Sequence, residues 1–279
     1  ACQGTCNSGT TRSPPVSDEG RVITMPRSHL VASHPLHVTN TDILCVDVGG
    51  SGIKAAVVDQ RGTLRGERVR IDTPVGSHPD QIVAAIAAMV DTLPRGDRVA
   101  VGFPGMVRNG RVLTAPNLGH DAWHGYDLAA SLGRALAAEV RVANDADVQG
   151  LAVITGKGLE MVITLGTGFG TALYQDGRLC PHLEIAHQRF RKGETYDEHV
   201  GEAARKDVGT KKWKKRVHKA IANMRALVMF DHLYVGGGNG KHLQNDLPAD
   251  CTVVDNKAGI AGGAFLFADA QPSPIAGND

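Results

Sequence analysis

The 279-residue chain has 30 Lys and Arg against 29 Asp and Glu, a formal charge of +1, and 42% hydrophobic residues. A chain of this size can bury a sizeable core as one large domain or two closely packed halves. Its balanced charge gives no general attraction to nucleic acid or to a membrane surface, so neither is expected as a partner.

The five cysteines, Cys2, Cys6, Cys45, Cys180 and Cys251, are too scattered to form a disulfide framework and contain no CxxC pair. No secretory apolar core and no spanning apolar run are present, and a cytoplasmic protein is the expectation.

Residues 1–40 read as a flexible tail, because Pro14-Pro15, Pro26 and Pro35 interrupt any helix. Aliphatic runs at 43–48, 53–59 and 63–71 then predict strands, with turns at Gly49-Gly50 and Gln60-Arg61-Gly62. Ile82, Val83, Ile86, Met89, Val90 and Leu93 recur at helical spacing and predict a helix over 79–93. Strand character returns at 99–103 and, briefly, at 112–113. A helix over 128–139, a strand at 140–143 and a helix over 145–155 follow.

The second half repeats the scheme, with strands at 161–165 and 169–175, a helix over 212–230, a strand at 233–235, another at 251–254 and a last helix over 257–268. The alternation predicts an α/β protein of two related lobes, 41–143 and 144–268, with a ligand cleft between them and a tail at 269–279. The last helix is expected to pack back on the first lobe.

Two glycine-rich loops stand out, Asp47-Val48-Gly49-Gly50-Ser51-Gly52-Ile53-Lys54 and Thr164-Leu165-Gly166-Thr167-Gly168-Phe169-Gly170, with Asn144-Asp145 between them. Glycine lets backbone N–H groups approach an anion closely, and Ser51, Thr164 and Thr167 add hydroxyls. Either loop alone can be a plain hairpin turn, and Asn144-Asp145 can serve as a helix cap. Two phosphate cradles flanking a carboxylate point together to phosphoryl transfer.

These motifs, with Gly102-Phe103-Pro104-Gly105, Asn117-Leu118, Leu183-Glu184-Ile185-Ala186-His187 and Gly236-Gly237-Gly238, make the chain resemble the ROK sugar kinases of the actin-like (ribonuclease H-like) superfold over about residues 42–268. Within that family the resemblance is to the branch of glucokinases and glucomannokinases that use polyphosphate as well as ATP. It implies a two-lobed fold with an interlobe active site, and a reaction that phosphorylates glucose and mannose at the 6-hydroxyl.

The resemblance casts Asp145 as general base. The pKa of that carboxylate need not reach neutrality, because the loose transition state lets proton removal come late. It places Gly105, Asn117, Asn144, Glu184 and His187 with Asp145 on sugar hydroxyls. It assigns Gly49, Gly50, Ser51, Lys54, Thr164, Gly166, Thr167 and Gly168 to phosphates, and Asp47 to Mg2+ through water. Gly236, Gly237 and Gly238 fall on the adenosine side. Lys54 can alternatively lie on the outer face of its strand.

Many ROK members carry a cysteine-rich zinc motif after the sugar-binding histidine. Here His187 is followed by Gln188-Arg189-Phe190-Arg191-Lys192-Gly193-Glu194, which implies no structural zinc and fits the polyphosphate-using branch.

Between 205 and 219 eight basic side chains are opposed only by Asp207. Lys211, Lys212, Lys214, Lys215 and Arg216 are candidates for holding inorganic polyphosphate. The same helix carries an apolar stripe of Trp213, Val217, Ile221 and Met224, so part of its charge can simply face water. Two other functions remain open from the residues alone. One is a strictly ATP-dependent hexose kinase. The other is a sugar-responsive ROK regulator, although residues 1–40 have no helix-turn-helix pattern. The chain is expected to be a monomer or a homodimer.

Overall fold

The computed structural model describes residues 41–268 except 75, 77, 92, 94, 95, 117, 120 and 255–257. The tails expected at 1–40 and 269–279 lie outside the described residues, as does Asn117.

The first half opens with β1 (Ile43–Val48), β2 (Ile53–Val58) and β3 (Val69–Ile71), an antiparallel run in which Val48 pairs with Ile53 and Ile53 with Ile71. The strand expected over 63–71 shrinks to its last three residues, and Leu64 makes only an isolated bridge to Val58. In α1 (Pro79–Val90), Ile82, Val83, Ile86 and Val90 form the buried stripe that the periodicity announced. His78 caps this helix by accepting from Asp80 N, while the Gln81 side chain accepts from His78 N.

Next come β4 (Arg98–Phe103), the small hairpin β5 (Val107–Arg108) and β6 (Arg111–Val112), then α2 (Leu128–Leu136) and β7 (Glu139–Asn144). The helix expected to run to 139 stops at Leu136. Ala137 takes a left-handed conformation, φ 50°, and donates to Gly133 O, so Glu139 can pair with Arg98. The first sheet has the order β3-β2-β1-β4-β7, with β4 parallel to both β1 and β7.

The second half starts from α3 (Asp145–Leu151), which leaves β7 with no intervening loop. It continues through β8 (Leu159–Leu165), β9 (Phe169–Gln175), β10 (Arg178–Leu179), and the β11 (Arg189–Arg191) and β12 (Glu194–Thr195) hairpin. Three helices follow, α4 (Tyr196–Val200), α5 (Glu202–Val208) and α6 (Thr210–Val228). The chain then runs through β13 (His232–Gly236) and β14 (Cys251–Val253) to α7 (Ala258–Ala261) and a 3-10 segment at Gly262–Phe267.

The second sheet, β10-β9-β8-β13-β14, repeats the logic of the first: an antiparallel hairpin whose inner strand is joined by a parallel neighbour. Each sheet carries its own apolar core. Ile86, Phe103, Trp123 and Leu132 centre the first, and Phe169, Trp213, Val217 and Leu233 the second. Trp213 also donates to Val200 O at 2.7 Å, fixing α6 against α4.

The closing helix expected over 257–268 is broken into a single α turn and the 3-10 segment. Two glycines stand at the break and let the chain come close to its neighbours: a Cβ at Gly262 would stand 1.7 Å from Val148 O, and one at Gly263 would stand 2.6 Å from Cys45 Sγ. The segment therefore wedges between α3 and the first sheet, where Ile260, Ala264 and Phe267 cover Ile43, Cys45 and Ala100. Among the described residues no helix is long and apolar enough to cross a membrane.

Candidate active site

Three strand ends and their loops converge on one cavity of about 320 Å3. The β1–β2 turn is closed by Gly49 N donating to Gly52 O at 3.0 Å and is tied down by the Thr73 hydroxyl on Gly49 O. In the β8–β9 turn Gly166 N donates to Gly168 O at 3.1 Å. At the end of β13, Gly237 has φ +81°, and a Cβ there would lie 2.4 Å from Leu165 O, so only glycine permits this approach. Gly49, Gly50, Ser51, Thr164, Gly166, Thr167, Gly168, Gly237 and Gly238 all line the cavity.

Opposite these loops, β7 delivers Asn144 and Asp145. Asn144 is the N-cap of α3: its side-chain oxygen accepts from Ala146 N at 2.8 Å and its amide donates to Gly105 O at 3.1 Å. The Ala146 N–H is shared with the Asp145 carboxylate, which lines the cavity. Burial and the nearby Asp47 charge push its pKa up to about 7, against the pull of a 2.8 Å hydrogen bond from Ala146 N. A carboxylate poised there can take a proton at neutral pH.

Glu184 and His187 complete this side with Gly105, and His187 Nε2 stands 4.0 Å from Glu184 Oε1. Between Glu184 and α3 lies His182, its Nδ1 3.0 Å from Asp147 Oδ1 and its Nε2 3.7 Å from Glu184 Oε2. The charge of His182, 3.7 Å away, holds Glu184 below its ordinary value even though burial opposes it. Asp197 sits where the two sides meet. Its carboxylate accepts from Phe169 N at 2.6 Å and its own N–H donates to Ala186 O at 3.1 Å, and burial raises its pKa.

Four groups of expected site residues do not line the cavity. Asp47 sits behind the first loop, beside Gly102 and Asp145 at a small void. Lys54 is half-exposed on β2, opposite Asp47, and pairs with it at 3.4 Å. Gly236 lies inside β13, paired with Thr164. The basic candidates Lys211, Lys212, Lys214, Lys215 and Arg216 ride on α6 away from the cavity wall. Lys214 pairs with Asp246, and Arg216 donates to His199 O at 3.1 Å.

His182, Asp197 and Gln149 line the cavity without having been singled out. A signal existed for Asp197: Thr195 and Glu198 form a capping box that marks the start of α4. His182 offered none, since its partners meet it only through the fold.

A model of the ROK family matches residues 43–182. The polyphosphate glucokinase of Mycobacterium tuberculosis (strain CDC 1551 / Oshkosh) is 32% identical over 236 residues, covering 79% of this chain and 89% of that protein. Among solved structures, the inorganic polyphosphate/ATP-glucomannokinase from Arthrobacter sp. strain KM superposes with a TM-score of 0.72 at 32% identity, over 81% of this chain and 98% of that one. A ROK family glucokinase from Streptomyces griseus, in complex with glucose and AMPPNP, shares the fold with a TM-score of 0.64 at 21% identity, over 81% of this chain and 98% of that one.

Proposed function

The chain belongs to the ROK family, and from that membership we propose that it phosphorylates glucose and mannose at the 6-hydroxyl with inorganic polyphosphate or ATP as donor. The observation that carries this reading is the Asp145 carboxylate. It stands in one cavity between the polar side chains of Asn144, Glu184 and His187 and two glycine loops, where burial and the Asp47 charge push its pKa up to about 7. The two sheets are then the lobes of an actin-like kinase, 41–143 and 144–268, and the cavity is the cleft between them.

Glu184, His187 and Asn144, with the Gly105 backbone, offer the mixture of donors and acceptors that a polyol needs if none of its hydroxyls is to be buried unpaired. They hold the sugar so that its 6-hydroxyl meets Asp145. As the 6-oxygen forms its bond to the terminal phosphorus, the hydroxyl proton passes to the Asp145 carboxylate, and the bond between that phosphorus and its bridging oxygen breaks. Ser51, Thr164, Thr167 and the N–H groups of Gly50 and Gly168 keep the phosphate chain in line, on turns that the Gly49 and Gly166 N–H groups close. Gly237 and Gly238 flank the far end of the donor, where an adenosine would lie. Asn117 lies outside the described residues, and its sugar contact rests on the resemblance alone.

Mg2+ commonly takes one or two carboxylates and completes its shell with water and phosphate oxygens. The Asp47 carboxylate, with that of Asp145 beside it, offers the hard oxygen ligands that ion takes, and the Lys54 ammonium now paired with Asp47 at 3.4 Å would give way to Mg2+; among the described residues no group of three or more His, Cys, Asp or Glu is placed to hold a metal. Asp47 would hold Mg2+, which when bound neutralises charge on the transferring phosphate.

Polyphosphate is longer than the cavity, so its remaining charges must lie along the surface. The exposed lysines of α6, Lys211, Lys212 and Lys215, are the candidates for tracking them.

The test supplies glucose or mannose and Mg2+ with ATP or polyphosphate separately. Sugar 6-phosphate from both donors is expected. Transfer from ATP alone selects the strictly ATP-dependent kinase, and no transfer overturns the reading. Reversing Lys211, Lys212 and Lys215 to Glu should raise the KM for polyphosphate several-fold more than that for ATP. Equal effects would remove the helix from the polymer's path.

A further inference from the structure

His182 is buried at the foot of the cavity, its side chain 7% exposed, and each ring nitrogen faces a carboxylate. Nδ1 is 3.0 Å from Asp147 Oδ1, and Nε2 is 3.7 Å from Glu184 Oε2. A neutral imidazole has one N–H and one lone pair, so one of these carboxylates would meet a bare lone pair. With both carboxylates ionised, only the imidazolium presents a proton to both. The partners are not equivalent bystanders. Asp147 lies one turn into α3, two residues after Asp145, and Glu184 faces the cavity.

We propose that His182 is a positioning residue for the acceptor sugar: its ring joins Glu184 to Asp147, so that the sugar-reading carboxylate and the helix turn bearing Asp145 keep one mutual geometry. The inference rests on the hexose-kinase reading of the site. His182 has no part in proton removal or phosphate binding there, and its task is to hold Glu184 in place and ionised.

The groups around the ring come from three elements. Asp147 and Asp145 approach from α3, Glu184 and then His187 from the loop of His182 itself, and Tyr174 from β9, where its hydroxyl donates to Asp147 O. Cys180 lies beside Tyr174 and, like it, is pushed up by burial, so both stay neutral at physiological pH. Burial alone would lower the pKa of His182, but the two carboxylates outweigh it and lift the ring to about 9. A group raised in this way contributes fully below its ordinary 6.5, and its contribution is lost as pH climbs through about 9. Sugar affinity should therefore fall on the alkaline side, while donor affinity should not.

The test measures glucose affinity by calorimetry, and glucose and donor KM by kinetics, from neutral pH to above about 9 for the wild type and H182Q. We expect H182Q to weaken glucose binding about tenfold or more at neutral pH, the loss of a charge-assisted contact. We also expect donor KM to change far less, and the alkaline loss of glucose affinity seen in the wild type to be absent.

A wild type that binds glucose with H182Q binding it equally, or an H182Q that keeps the alkaline loss, overturns this proposal alone. A wild type that binds neither glucose nor mannose overturns the kinase reading and the proposal with it. Should H182Q fail to fold, an NMR titration of the wild-type His182 ring decides. An inflection near 9 supports the clamp, and one near 6.5 overturns it.

Discussion

Asp145 opens α3, and Glu160 lies beneath the loop that follows the same helix, yet the two carboxylates are treated in opposite ways. Glu160 is fully buried and accepts from five donors: Thr155 N at 2.7 Å, Thr155 Oγ1 at 2.8 Å, Gly156 N at 2.7 Å, Lys157 N at 3.2 Å and the Tyr234 hydroxyl at 2.9 Å. Burial alone would raise its pKa, but those donors overcome it and hold the group below its ordinary value of 4.5. Asp145 accepts a single backbone hydrogen bond, faces Asp47, and is lifted to about 7. One carboxylate is satisfied and fastens the fold; the other is kept short of partners and so remains basic enough to act.

Substituting the under-satisfied member should have the largest effect. D145N keeps the size of the side chain and removes its basicity, so turnover should fall about a hundredfold to ten-thousandfold with either donor. Glucose affinity, measured by calorimetry, should change little. A variant that retains most of its turnover would remove Asp145 from the role of base.

The same substitution should stabilise the protein. A carboxylate whose pKa is raised on folding contributes fully below its ordinary 3.8 and loses that contribution as pH rises to about 7. D145N should therefore melt higher than the wild type above about pH 7, and the gap should close near 3.8. With cavity water screening part of the charge, a gain of about 1–2 kcal/mol is expected. In the wild type, kcat should fall as pH drops through about 7.

E160Q should do the reverse. It leaves buried N–H groups facing an amide that can offer them only one oxygen, and it should cost about 2–3 kcal/mol of stability, read by denaturant unfolding. Turnover per folded molecule should stay near that of the wild type. The sign with pH is also opposite: the stabilisation is present above 4.5 and lost as pH falls through the lower folded value, so wild type and E160Q should converge in acid. A large fall in kcat would show that the loop after α3 also sets the placement of Asp145.

The contrast explains what could be read from residue order. The aliphatic runs of β1, β2, β4 and β8, the two glycine loops and Asn144-Asp145 are local patterns, and the structure brings those loops and that pair to one cavity. The lysines of α6 were equally visible as a charge cluster, and the stripe of Trp213, Val217, Ile221 and Met224 already marked the buried face, but where that helix lies relative to the glycine loops is set only by the fold. The close approach of Gly262 and Gly263 to α3 and β1, at the break in the closing helix, is likewise something periodicity does not encode. His182 and Glu160 were illegible for the same reason. A histidine between two carboxylates, or a glutamate under five donors, exists only after residues as distant as Asp147 and Tyr234 are brought to it.

The smallest expected effect tests whether the donors to Glu160 act as a redundant set. Y234F deletes the one donor that comes from β13, while Glu160 Oε1 keeps both the amide and the hydroxyl of Thr155. The loss should be about 1 kcal/mol, the net worth of a single hydrogen bond whose acceptor is not orphaned. Kinetic constants should be unchanged, because Tyr234 packs with Val162 and Ala172, away from the cavity wall. A cost approaching that of E160Q would mean that β13 and the loop after α3 are coupled through this hydroxyl. Glu160 would then be a joint between the second sheet and the helix that bears Asp145, and the division between a fastening and an acting carboxylate would no longer hold.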